Sequence, residues 1–324
     1  MKKRPDPELW GILIFLAVYL VLPLFISSKV ILNTFTLIGM YVLIVSSLNV
    51  VNGYSGQFCV GQAAFTCIGA YTAAILNTRF SFSFWVLLPL SGIVAALFSL
   101  LLSVPTAKLR GMYFTIVTLG FNEIVRQLCL NWNSLTRGPR GISGIKTPSL
   151  FGLTVSRAHL FYYVIFVLMA LVLLCTRRLI RSRTGRAFLA IREDLSAARS
   201  LGVEAARFKT INLAYSAFWA GVAGCFYAFF QRFVSPDSFT LDESFNYLAM
   251  NIIGGQGYLI GPIIGAVVVN LLTELLRAAL EYRMLIYSAL IILTMWLQPQ
   301  GLAGSLAQLM QHLARRKEEK DGHS

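Results

Sequence analysis

The sequence predicts an all-α, polytopic membrane protein, and three observations lead there. Hydrophobic residues make up 56% of the 324 positions and charged ones only 13%, where soluble domains carry roughly a quarter charged residues. Apolar runs close to the ~20 residues a spanning helix needs recur along the chain. Basic residues gather in alternate connections, which is how such chains fix their orientation. A net charge of +14 could instead signal nucleic acid. Here the charges are interleaved with apolar runs, so lipid is the expected partner and nucleic acid is not.

Taken in order, residues 1–8 carry Lys2, Lys3 and Arg4 and meet an apolar run over 9–26. No small-x-small cleavage site follows it, so an uncleaved first span is expected. Further apolar segments cover 31–51, 59–77, 83–104, 112–131, 158–176, 208–231, 244–259, 262–281 and 284–300, about ten in all. The whole chain, 1–324, reads as one transmembrane domain with an outer loop at 131–157, an inner loop at 177–209 and an inner tail at 301–324. Placing 177–209 inside puts both termini inside. The charges agree: Lys108, Arg110, Arg315, Arg316, Lys317 and Lys320 join the N-terminal cluster and the central run on the inner side. The outer side holds fewer, namely Lys29, Arg79, Arg137, Arg140, Lys146, Arg157, Arg232 and Arg283.

The inner run is more than a charged connector. Arg177, Arg178, Arg181, Arg183, Arg186, Arg192, Arg199, Arg207 and Lys209 are opposed only by Glu193, Asp194 and Glu204. Within it, Phe188, Ile191, Leu195 and Ala198 recur at spacings of three and four, a single apolar stripe on a helix. Gly185 precedes that helix and Gly202 follows it, where a left-handed cap favours glycine. A short helix in water needs something to bury its apolar side, so the spacing predicts one docking helix over 185–202.

Other chemistry has little support. Cys59, Cys67, Cys129, Cys175 and Cys225 lie in or beside apolar segments with no C-x-x-C pair; they read as reduced packing residues. The histidines, His159, His312 and His323, do not cluster, so no metal or cofactor is expected. No Gly-Lys-Ser/Thr phosphate loop occurs, so the chain itself is not an ATPase. Gly53-Tyr54-Ser55-Gly56 fits a serine-hydrolase G-x-S-G pattern, but that chemistry needs a base within reach, and His159 belongs near the opposite face. The chain is therefore not expected to be an enzyme.

Polar residues inside the apolar segments mark a candidate path. The third segment opens with the glycines at 53, 56 and 61 and with Gln57 and Gln62; interrupted segments often line a path in transporters, although a glycine-rich turn on a tightly packed helix reads equally well. Asn122, Glu123 and Arg126 fall half-way through the fifth segment. Charges there usually face a partner or a wet cavity. Thr273, Glu274 and Arg277 repeat the arrangement in the ninth.

Five stretches, in order, resemble the M-type permease of bacterial branched-chain amino acid ABC importers: GYSGQFCVGQAAFTCIGAY, RGMYFTIVTLGFNEIVRQL, LTRGPRGISGI, GRAFLAIREDLSAARSLGV and NIIGGQGYLIGPIIGA. The likeness runs from about Asn49 to Arg277. It implies an ABC importer permease fold in the bacterial inner membrane, a second, H-type permease subunit, two ATP-binding subunits and a periplasmic substrate-binding protein. It also implies that Arg192, Glu193, Asp194 and Gly202 belong to the motif that couples to the ATPase. Cys59 stands where the family usually has serine, and Arg137 and Arg140 replace small or polar residues, so urea, short amides or other amino acids stay open as cargo. A secondary transporter using Glu123 as an ion relay is the alternative of a different class, though it would not need the coupling helix. Glu123 and Arg126 could pair inside the bundle or meet the charged ends of a zwitterionic amino acid.

Overall fold

The computed structural model describes residues 7–25, 28–106, 109, 111–146, 157–275, 289, 292, 296 and 301–305. Its helices are α1 (Pro7–Phe25), α2 (Lys29–Asn49), α3 (Gln62–Phe80), α4 (Phe84–Thr106), α5 (Met112–Asn131) and the short α6 (Asn133–Thr136). Then come α7 (Arg157–Arg181), α8 (Arg183–Glu193), α9 (Leu195–Ser200), α10 (Ala205–Gln231), α11 (Leu241–Gly254) and α12 (Gly261–Leu275). Among the described residues, five helices are long and apolar enough to cross a membrane: 8–25, 29–54, 84–106, 158–181 and 205–231. The 19-residue α3 and 20-residue α5 match two further expected segments. α11, at 14 residues, reaches only about 21 Å at the helical rise, short of the ~30 Å hydrocarbon core; α12 is described as far as Leu275.

Two expected boundaries shift for local reasons. The eighth segment ends at Gly254 rather than 259, because Gly255 takes a φ of +113°. The third begins as helix only at Gln62. The expected segment at 284–300, apart from helical positions 289, 292 and 296, lies outside the described residues, as do Arg277, Lys108, Arg110 and most of the tail.

The long α10 forms the centre, lying between α3 and α4 and touching α2. Small residues make that possible. A Cβ on Gly224 would stand 2.0 Å from the Thr66 carbonyl, and one on Gly69 would stand 2.2 Å from the Gly221 carbonyl. Gly221 in turn lies against Ser91 and Gly92 of α4. Where lipid is as apolar as the side chains, such close backbone approach is what holds helices together. Aromatic rings fill one end of this core, with Phe84 edge-on to Phe229 at 4.9 Å and Phe161 to Phe226 at 5.6 Å.

The connections gather at two ends of the bundle. A two-residue antiparallel ribbon pairs β1 (Ile142–Ser143) with β2 (Phe233–Val234), bringing together the two long connections expected outside. At the other end Lys209 Nζ donates to the Leu109 carbonyl at 3.0 Å, and Arg192 reaches the turn after α2. We call these the outer and inner ends.

Candidate functional site

The chain is broken between α2 and α3. A π-helical turn over Val50–Tyr54 extends α2, and residues 55–61 are irregular. Non-helical backbone at membrane depth survives only where its polar groups are paired inside protein, and here side chains do the pairing. The Cys59 N–H donates to Asn52 Oδ1 at 3.0 Å, the Val60 N–H to Thr118 Oγ1 at 3.1 Å, and Thr115 Oγ1 to the Phe58 carbonyl at 2.8 Å. Gly61 lies against the backbone of Thr118, six residues beyond the start of α5 and so about 9 Å along it. The N-terminus of α3 therefore sits within the bundle.

A polar seam surrounds that N-terminus. Gln62 Nε2 donates to Ser47 Oγ at 2.9 Å and Gln62 Oε1 accepts from Ser216 Oγ at 3.2 Å. The Ala63 N–H donates to Ser244 Oγ at 3.1 Å, and Ser244 Oγ lies 3.5 Å from Asn122 Oδ1. All of these side chains are buried. Gln57 belongs to a second group, accepting from Ser55 Oγ at 3.4 Å; Ser55 also accepts from Asn212 Nδ2. The structure thus brings Gln62 and Asn122 together and sets Gln57 toward the inner end.

Glu123 and Arg126 sit further out and do pair, at 3.1 Å. Arg126 Nη2 also meets Asp237 Oδ1 at 3.4 Å, and Gln127 Nε2 donates to Glu123 Oε1 at 2.7 Å. The sequence marks Asp237 only by a Ser-Pro-Asp turn between two spans, which is commonplace. Arg126, Glu123 and Asp237 are 24%, 38% and 68% exposed, so the cluster is half-open. It lies along a face of α5 on which Tyr113, Ile116, Gly120, Ile124 and Gln127 are exposed.

The inner helices correct one expectation. Residues 185–202 form two helices, α8 and α9, not one. Asp194 is extended (φ −151°, ψ 112°), and its carboxylate accepts from the N–H groups of Ser196 and Ala197 at 2.7 and 3.1 Å. That is an N-cap, and it outcompetes continued helix. Gly202 ends α9 at a φ of +80°, as the sequence suggests. The stripe is corrected too. Ile191 and Ala198 are buried against the chain's own Ala205, Val203 and Phe208, with Leu195 packed on them, and the buried Phe188 meets Phe208. The stripe closes the helix pair onto α10 instead of waiting for a partner. Gly185 packs against Ile180. Among the residues that stay exposed are Leu189, Glu193, Arg199 and, at 84%, Leu201.

Arg192 links the two regions. Its Nη1 donates to the Gly53 carbonyl at 2.6 Å, and its stem lies against Gly56, where a Cβ would stand 3.1 Å from Cγ. Asn49 holds the facing turn, donating to the Tyr258 carbonyl and accepting from the Gly257 N–H, both at 2.9 Å.

A bundle of apolar helices, a helix broken inside it and a polar seam running past the break define a multi-pass membrane transport protein. The sequence matches, over residues 30–295, the family described as branched-chain amino acid transport system / permease component. The chain belongs to this family. It is 41% identical over 315 residues to the high-affinity branched-chain amino acid transport system permease protein LivM of Escherichia coli K12, covering 89% of this chain and 74% of that one. A probable LivM-type permease of Methanocaldococcus jannaschii is 23% identical over 82% of this chain and 90% of its own length. The LivH permease protein of E. coli K12 is 31% identical over 186 residues, covering 54% of this chain and 59% of its own. No solved structure matches.

Proposed function

We propose that this chain forms half of the membrane pathway of an ABC importer for leucine, isoleucine and valine in a bacterial inner membrane. Its assembly holds a homologous H-type permease, two ATP-binding subunits and a periplasmic substrate-binding protein, with both termini of this chain in the cytoplasm. The observation that carries the reading is the open face of α5. Glu123, Arg126 and Gln127 are too polar to face lipid, where a charge near mid-bilayer costs about 2.5–3.5 kcal/mol on insertion scales. That face needs protein and water against it. A subunit homologous to this one, related by a pseudo-twofold axis, would set its own counterpart of α5 opposite, enclosing a path past Gln57, Gln62, Asn122, Glu123 and Arg126. The likeness of this chain to both LivM and LivH supports such a pairing.

On this reading the exposed edge of α8 and α9, carrying Leu189, Glu193 and Leu201, meets the ATPase. The buried stripe makes the pair move as one body, Asp194 and Gly202 fix the two ends of α9, and Arg192 passes the pair's displacement to the break at Gly53. Cysteine accessibility in the assembled complex tests the path. Single cysteines at Gly120 and Gln127 should react with a membrane-impermeant maleimide at rates that change on adding ATP, and a cysteine at the exposed Leu101 of α4 should not react. Equal silence at all three would refute it.

A further inference from the structure

We infer that the N-terminus of α3 is a carboxylate-binding site within the membrane, resting on the reading of α5 as path-lining. α3 is 19 residues long, and its aligned peptides place roughly half a positive charge at its start. Among the described residues the N–H group of Gln62 makes no hydrogen bond, while that of Gly61 is turned to the Cys59 sulfur and that of Ala63 is held by Ser244 Oγ at 3.1 Å. In water such groups would be solvated, but Gly61, Gln62 and Ala63 are buried.

Asn122 supplies the second, independent observation. It is 0% exposed, its Oδ1 lies 3.5 Å from the same Ser244 hydroxyl, and its Nδ2 has no partner. A buried amide donor left unpaired costs free energy unless a ligand completes it. Asn251, seven residues beyond Ser244 and so on the same face of α11, is also fully buried with both side-chain atoms unpartnered; it continues the seam toward the inner turn at Gly255. The open positions around α3's start are donors: the backbone N–H of Gln62 and the amide NH₂ of Asn122. Among the described residues no lysine or arginine is hydrogen-bonded to them, and Glu123, on the adjoining position of α5, is engaged by Arg126 and Gln127. A donor set at a helix N-terminus selects a small anion. Phe65, one turn beyond Gln62 on α3, packs on Phe121, the chain neighbour of Asn122, with ring centroids 5.4 Å apart, so apolar surface lies within a turn of the donors. The ligand this suits is a carboxylate on a short aliphatic chain, the end of the substrate opposite its ammonium group.

The purified complex, without its binding protein, tests this by equilibrium binding of radiolabelled leucine. 4-Methylvalerate, which keeps the carboxylate and lacks the amine, should compete; isoamylamine, which keeps the amine and lacks the carboxylate, should not. Asn122→Leu should weaken binding about tenfold, the size of a lost hydrogen bond to a charged group, with unchanged melting temperature. Asn122→Asp, which places a fixed carboxylate against α3, should abolish it. Competition by isoamylamine equal to that by 4-methylvalerate, or wild-type binding by Asn122→Leu, overturns the site. If the wild-type complex takes up leucine with ATP and the Asn122 variants do so equally, the site alone fails. If no branched-chain amino acid is taken up, the proposed function fails. The site is then judged by whether 4-methylvalerate raises the melting temperature of the wild-type complex but not that of Asn122→Leu.

Discussion

Replacing Arg192 by alanine should separate ATP hydrolysis from transport. Its guanidinium reaches from the last turn of α8 to the Gly53 carbonyl at 2.6 Å and stands 2.9 Å from where a Cβ on Gly257 would lie. A hydrogen bond with a charged donor contributes about 1.5–3 kcal/mol. Arg192 is exposed overall, so solvent competes and the lower end applies. Losing about 1.5 kcal/mol from the link between two moving parts changes their coupling about tenfold, since 1.4 kcal/mol is a factor of ten. In proteoliposomes with all subunits, leucine accumulated per ATP hydrolysed should fall by up to that factor while hydrolysis continues. Arg192→Lys keeps a charged donor and should recover part of the loss. Gly56→Ala offers a second route to the same defect: its methyl group would press on the Arg192 stem at 3.1 Å, at a φ of +66° that costs a non-glycine residue roughly 1–2 kcal/mol. An unchanged ratio in Arg192→Ala would refute the link. A parallel loss of hydrolysis would move Arg192 into the ATPase contact instead.

Three further outcomes follow from the geometry. Gly224→Leu should lower the melting temperature of the purified protein, because even its Cβ would meet the Thr66 carbonyl at 2.0 Å and overpacking costs typically about 1–3 kcal/mol; Gly120→Ala, with open space around it, should leave the melting temperature unchanged. Glu123→Gln and Asp237→Asn should each cost about 0.2–1 kcal/mol as partly exposed pairs do, since Arg126 keeps its other carboxylate, and the double variant should exceed their sum; strict additivity in a double-mutant cycle would show that the two do not share the arginine. Single cysteines at the exposed Ser143 and Ser200 should label only from the periplasm and only from the cytoplasm respectively; labelling of both from one side would overturn the orientation.

The sequence carried the spans well and the site partly. A spanning helix is an apolar run of set length, so α2, α4, α7 and α10 were legible, and the Glu123–Arg126 pair followed from a spacing of three. The break at Asp194 was hidden because the apolar spacing from Ile191 to Leu195 continues across it; only the aspartate's choice to cap rather than extend a helix divides α8 from α9. The direction of the stripe was hidden for another reason: Phe188 finds Phe208 edge-on at 6.4 Å, and a stripe does not name its partner. The contacts that assemble the seam join residues far apart in the chain, Asn122 with Ser244 and Arg192 with Gly53. No local pattern reports such pairs. Asp237 and Ser244, single polar residues beside apolar runs, became notable only through what they touch.

As proposed here, this chain carries branched-chain amino acids as one half of an ATP-driven pathway. Proteoliposomes containing this chain, its homologous permease and the ATP-binding subunits, supplied with the binding protein, test it by uptake of radiolabelled leucine, isoleucine and valine. Uptake should require ATP inside the site of hydrolysis and every subunit, and should survive collapse of the proton gradient. Uptake by this chain alone, driven by an ion gradient and abolished by Glu123→Gln, would instead make it a secondary transporter.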